Sequence, residues 1–315
     1  MREEDVQGAH AGERGIASLA ALLTGIGFGV GATTSQVFVS FGFPLLHIAV
    51  AQFFCGTVIL GMVILVKRYR FPSFKEMVKL FFVGMLQPLA TISYYFGIDY
   101  LSVGQAVAIQ FQYVWLAVVF QHIAQRSFPK RQVVVSTLCI IVGTLLACGI
   151  VDDLLGGSGG APLNALGVLF AIGCAVLYAF YLFFNGRVDP ATPPVTRSFI
   201  MVVSGWVISS VMSFGFYAQG ADYMLAIAPA GLVQGLLMGI IPIVGISIAS
   251  RKLPSGMVAI LGSVELPAAV LSGCLILGDA TTPLMVVGVM VILASIVYAQ
   301  KDEIRLQGEQ ETPQR

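Results

Sequence analysis

The chain has 315 residues, of which 57% are hydrophobic and only 10% are Asp, Glu, Lys or Arg, with a formal net charge of +1. Soluble domains carry about 25% charged residues, so this composition, with a mean hydropathy of +0.90, excludes a soluble enzyme, a nucleic-acid-binding protein and a disordered chain. The sequence is that of an all-α polytopic membrane protein.

Residues 1–15 form a mixed-charge polar tail rather than a secretory signal, and the first apolar stretch is too long for a signal core. A bilayer core needs roughly 20 apolar residues per helix. Runs of that kind predict ten spans, at 16–40, 44–66, 77–98, 103–125, 130–150, 164–185, 197–217, 227–249, 255–277 and 282–299. They are continuously apolar, which is the pattern of helices and not of a lipid-facing barrel. With both termini placed in the cytoplasm, all 17 Lys and Arg fall on inner segments. The outer loops carry Asp99, Asp152, Asp153, Asp222 and Asp279 instead. A wrong number of spans would scramble this bias from the error onward.

The Gly-rich stretch within 151–163 reads as an outer linker. It separates a first five-helix unit, 16–150, from a second, 164–299, ahead of a cytoplasmic tail at 300–315. An odd number of spans per unit makes the two halves opposite in topology, the plan of an inverted repeat. At an offset of 152, Leu101-Ser-Val-Gly104 lies over Leu253-Pro-Ser-Gly256, Ala117-Val118 over Ala269-Val270, and Ile140 over Ile292. Polar breaks at Arg126-Ser127 and Gly278-Asp279 fall in the same register.

These motifs resemble those of the EamA-type transporters in the drug/metabolite transporter superfamily. Tyr95-Phe-Gly-Ile-Asp-Tyr-Leu101-Ser102-Val-Gly104 fits the first half; Leu253-Pro254-Ser-Gly256, Glu265-Leu-Pro267 and Leu277-Gly278-Asp279 fit the second. Ala175-Val-Leu-Tyr178-Ala-Phe-Tyr181 is also family-like. The departures are Gly29-Val30-Gly31-Ala32, where the family has Trp-Gly, and Gln125-Arg126, where it has Gly-Glu. The resemblance implies ten helices in two halves and points towards export. It also implies that a Glu-x-Pro at 265–267 can be architectural.

Glu265 is the ionisable side chain expected deep in a span, where a charge costs roughly 2.5–3.5 kcal/mol unless it faces a cavity or is protonated. Pro267 is expected to free the carbonyl of Ser263 beside it. Together they would bind a proton, a cation or a substrate ammonium; the alternative is a protonated Glu265 bonded to a neighbouring helix. In helix 4, Gln110 and Tyr113 share a face and overlie Gly262 and Glu265 at the 152 offset, so they are expected opposite the carboxyl. Gln112 is a further polar candidate, although it lies about 200° around the helix from Gln110. Gln105, Gln121 and Gln125, near the ends, read as interhelical glue. Tyr94, Tyr178 and Gln36 complete the candidate set for substrate binding or coupling. Thr33, Thr34, Ser35, Gln87, Tyr181 and Gln234 are further polar positions within spans, each readable as a packing hydrogen bond. His47 and His122 are expected at the two interfaces.

Gly25, Gly27, Gly29 and Gly31 make two overlapping Gly-x-x-x-Gly pairs, and Gly231, Gly235 and Gly239 a stripe, for close helix packing or sliding. Pro88 and Pro242 are candidate kinks in matched helices. Cys55, Cys139, Cys148, Cys174 and Cys274 sit singly and form neither metal-ligand spacing nor a disulfide framework. No metal or other cofactor is implied, and no Walker loop occurs. Deep Lys or Arg are not expected, which argues against polyanionic substrates. A multi-pass secondary transporter of the cell membrane, moving a small neutral, zwitterionic or cationic solute with a possible coupling proton or cation, is the leading reading. A channel or receptor-like scaffold is the alternative; an intramembrane enzyme fits poorly, since Glu265 stands alone. Its partners would be solute and lipid, without nucleic acid, in a monomer or homodimer.

Overall fold

The computed structural model describes residues 3–155 and 164–310, and all its regular elements are helices. We number the long ones α1 (Glu3–Ser40), α2 (Leu45–Lys67), α3 (Phe74–Ile98), α4 (Val103–Gln125), α5 (Arg131–Ala147), α6 (Ala165–Asn185), α7 (Pro194–Met212), α8 (Ala221–Ala249), α9 (Ser255–Leu277) and α10 (Pro283–Gln310). Among the described residues, nine are long and apolar enough to cross a membrane; α5, at 17 residues, is apolar but shorter. The expected spans and these helices agree closely, with two differences at the ends. The N-terminal tail is helical from Glu3, and the C-terminal one to Gln310. Residues 156–163 of the expected linker lie outside the described residues.

The expected end of the seventh span at 217 is corrected to Met212. A short tight helix, Phe214–Gln219, follows, and Gly220 turns the chain at φ +86°. That turn lets α8 begin at Ala221, six residues before the apolar run, with Asp222 in its positively polarised first turn.

Helix pairings come in couples related by exchanging each helix for the one five places on. α1 packs on α8 as α6 packs on α3; α1 packs on α9 as α6 packs on α4; α2 packs on α8 as α7 packs on α3. The pairs α2–α7, α4–α9 and α5–α10 map onto themselves. Glycines set these approaches. A Cβ on Gly29 would sit 2.3 Å from the Glu265 carbonyl oxygen, and one on Gly25 2.4 Å from that of Gly262, so this pair seats α1 on α9. Gly27 and Gly31 meet Leu237 and Met238 of α8 instead. The two overlapping pairs thus serve two different neighbours.

Neither α4 nor α9 is continuous, contrary to the sequence expectation. α4 divides into α4a (Val103–Gln110) and α4b (Tyr113–Gln125), and α9 begins with α9a (Ser255–Gly262) and resumes as α9b (Glu265–Ser272). In α4 the N–H groups of Gln112 and Val114 donate to Ile109 and Phe111, three residues back. In α9 those of Val264 and Leu266 donate to Leu261 and Ser263. All four residues of one set lie 152 positions from the other. The expectation of a free Ser263 carbonyl is therefore wrong: Leu266 occupies it at 3.3 Å. Because a new helix starts at Glu265, Pro267 falls in a first turn, where its missing N–H has no intrahelical acceptor to lose.

Candidate functional site

A cavity of about 250 Å³ lies between α1, α3, α4a, α6, α8 and α9b. It reaches from Glu265 to Ile98, Val103, Leu277 and Asp279, at the end of the bundle opposite the chain termini. Its far end is closed where α4b crosses α9a. There the Gly256 N–H donates to Gln121 Oε1 at 2.8 Å and Ser255 Oγ donates to the Ala117 carbonyl at 3.5 Å. Glycine is required at 256, since a Cβ would stand 2.9 Å from a Val118 methyl.

Glu265 opens α9b just after the break and lines the cavity. Among the described residues its carboxyl has no hydrogen-bond or ion-pair partner. The expectation that it bonds a neighbouring helix is not met. Instead it lies within electrostatic reach of Tyr94, Tyr113, Tyr178 and Cys174. Gly29, below it, leaves the space for α9b to come this close to α1.

Five candidates from sequence, Glu265, Gln110, Tyr94, Tyr178 and Gln36, line this one cavity. Tyr113 does not; it is 1% exposed and supports the wall edge-on against Tyr178, ring centroids 4.7 Å apart. Gln112 lies outside the cavity: its Nε2 donates to the Ala108 carbonyl at 3.0 Å and its Oε1 accepts from Trp115 at 2.8 Å. The break between α4a and α4b does not bring it round. Ring contacts continue from Tyr178 to Phe28 and to Tyr181, which is fully buried.

Gln105, read as interhelical glue, forms a reciprocal cap with Ser102 at the start of its own helix α4a. Gln234 ties α8 to Thr34 and the Gly31 carbonyl of α1, and Thr33 bonds Ser272 of α9b at 2.7 Å. His47 Nδ1 lies 2.7 Å from the Tyr223 hydroxyl beneath Phe216, fastening α2 to α8.

Thr91, Tyr95 and Asp279 also line the cavity and escaped the sequence reading as site residues. Thr91 stands one turn beyond Gln87 on the face of α3 that carries Tyr94, a helical spacing that was legible. Asp279 reaches the wall through the turn after α9, where Gly278 takes φ +72° and the Asp279 carboxylate folds back on Gly273. No Lys or Arg lines the cavity among the described residues. Arg197, expected on an inner segment at the start of the seventh span, is fully buried in the first turn of α7. It donates to the backbone carbonyls of Asn185 and Val188, so the end of α6 and the turn after it close around the guanidinium.

Twenty-nine solved chains resemble this structure. One is a crystal structure whose title names no activity, with a TM-score of 0.69 and 17% identity over 90% of this chain and 95% of that one, a likeness of fold alone. No curated protein matches the chain by sequence. Residues 15–149 match the EamA-like transporter family. The protein is thus a multi-pass membrane protein whose residues 15–149 match the EamA-like transporter family, consistent with a member of the drug/metabolite transporter superfamily.

Proposed function

We propose that the chain is a secondary transporter of the cell membrane, built from ten spanning helices in two inverted five-helix repeats with both termini in the cytoplasm. It moves a small neutral, zwitterionic or cationic solute by alternating access, in the export direction, and is not an enzyme. The shared 152-residue offset of the two helix breaks and the coupled helix pairings support the repeat. The distribution of Lys and Arg supports the orientation, with α5 as the tenth span. In that orientation the cavity faces outward and is closed to the cytoplasm by the α4b–α9a crossing.

One observation carries the reading: a partnerless carboxyl, Glu265, on the wall of a cavity open at one end. Within a bilayer such a group must exchange with something that enters the cavity, either a proton or a cationic group of the solute. A through-channel is disfavoured by the closed crossing below it. Solute contents of cells and medium, compared for cells expressing wild type, Glu265→Gln or no protein, test the reading. One solute class displaced across the membrane by wild type alone is the expected result. Displacement by both proteins would reduce Glu265 to packing, and displacement by neither would remove the transporter.

A further inference from the structure

Glu265 and Asp279 are the charged side chains of the cavity lining, and they stand at its opposite ends, one inside and one at the mouth. Among the described residues the Asp279 carboxylate has no hydrogen-bond or ion-pair partner. Of the other outer acids, Asp152 accepts from Thr282 Oγ1 at 2.6 Å, and Asp99 and Asp222 do not line the cavity. Two glycines put Asp279 where it is. Gly278, at φ +72°, turns the chain back at the end of α9, and the Asp279 N–H donates to the Gly273 carbonyl at 3.3 Å. The carboxylate then lies over the bare backbone of Gly273. A Cβ there would stand 2.8 Å from Oδ2, and its three nearest atoms would all belong to Asp279. Glycine at 273 thus admits this carboxylate to the cavity rim.

The helical rise from Glu265 to Gly273 sets the two carboxyls about 12 Å apart along α9. The α9 wall between them is Leu266 and Ala269, which have no polar side-chain atom, and the rings of Phe28, Tyr94 and Tyr178 line the same cavity. A solute with one cation answers Glu265 and leaves Asp279 to water. A solute with a cation at each end of an apolar chain answers both. An extended chain advances about 1.25 Å per bond and each ammonium sits about 3 Å from its carboxylate, so about five to eight methylenes between the nitrogens match the spacing. Resting on the transporter reading above, we propose that the site selects an α,ω-diammonium solute, with one ammonium on Glu265, the other on Asp279, and the methylenes along Leu266 and Ala269. Asp279 is then a specificity-determining residue, and Gly273 the position that seats it.

The test is equilibrium binding to the purified full chain in detergent, with 1,6-diaminohexane, hexylamine and the short 1,3-diaminopropane as probes. Wild type should bind the long diamine about fivefold more tightly than hexylamine, the discrimination one solvent-exposed ion pair supplies. The short diamine, unable to reach both carboxyls, should bind no better than propylamine. Asp279→Asn should bring the ratio of diaminohexane to hexylamine close to one by weakening the diamine alone. Gly273→Ala, which displaces the Asp279 carboxylate, should lower the same ratio, whereas Asp222→Asn, an equal loss of outer charge away from the cavity, should leave it unchanged. Each ratio is taken within one protein, so poor folding of a variant cannot imitate the result. A wild-type ratio near one, equal advantage for the short diamine, a ratio that Asp279→Asn leaves unchanged, or one that Asp222→Asn lowers as far would overturn the proposal. So would no binding of any amine by folded wild type. Flux is read separately, in liposomes: length-selective diamine binding without flux would leave this site standing and remove the transporter, whereas flux of another solute that no diamine inhibits would do the reverse.

Discussion

The two ends of the α4–α9 pair are built from matching sequence and are used differently. At the end near the chain termini α4b and α9a are in contact, with Gln121 holding the Gly256 N–H. Their equivalents 152 residues away, Gly273 and Gly104, belong to segments that border the cavity and do not pack on each other in the same way. A static scaffold with coupled helix pairings has no reason to make one of two equivalent contacts. In the proposed transporter the difference is the state itself: the contact made here is the closed gate, and the unmade one is its counterpart. Glu265 and Tyr113, at the breaks of the two helices, stand between them.

The largest effect is expected at that midpoint. Glu265→Gln should lower coupled flux by at least about a hundredfold while the protein stays folded, because the amide takes up no proton at any accessible pH. Flux in liposomes across a pH series checks this. Next is the face that seats α9b on α1. Gly29→Val places atoms where the Glu265 carbonyl already lies, and overpacking of this kind costs about 1–3 kcal/mol, read as a lowered Tm of the purified protein.

Gln121→Ala acts on the closed end. It strips the buried Gly256 N–H of its acceptor, a loss of about 1–3 kcal/mol, and so favours the opposite state. A cysteine introduced on the cytoplasmic side of the crossing should then react with a membrane-impermeant thiol reagent about tenfold faster than in the parent. Smaller still is the change at the open end, where Gln110→Ala should weaken solute affinity a few-fold, about 1 kcal/mol for one lost hydrogen bond. Gln112→Ala, outside the cavity and bonded to Trp115, should leave affinity unchanged and serves as the control in the same binding assay.

Sequence carried the course of the chain because its signals were long. Apolar runs of membrane length, the sidedness of Lys and Arg, and a constant offset all repeat over many residues. It also named Glu265, Gln110, Tyr94, Tyr178 and Gln36 as candidates, and placed Gln110 opposite Glu265. The breaks in α4 and α9 left no such trace: Phe111-Gln112 and Ser263-Val264 contain neither Gly nor Pro, and the tightened turns arise from packing. Pro267 drew attention to the wrong carbonyl for the same reason. Arg197 was legible as a charge at a span boundary, but its burial depends on the carbonyls at the end of α6 and in the turn after it. Gln121 and Gln234 bond across helix interfaces, while the Oε1 atoms of Gln87 and Gln234 are both buried without a hydrogen-bond partner.

The most direct measurement is the distance between spin labels at Val103→Cys and Ala269→Cys, in a background without the five native cysteines. These positions are the 152-residue equivalents of Ser255 and Ala117, which touch at the closed end. The account predicts two populations across the cavity mouth, a long one as in the present structure and a short one, with proportions that shift between wild type and Glu265→Gln. A single long distance, unchanged by solute, pH or the Glu265 substitution, would contradict alternating access at this pair.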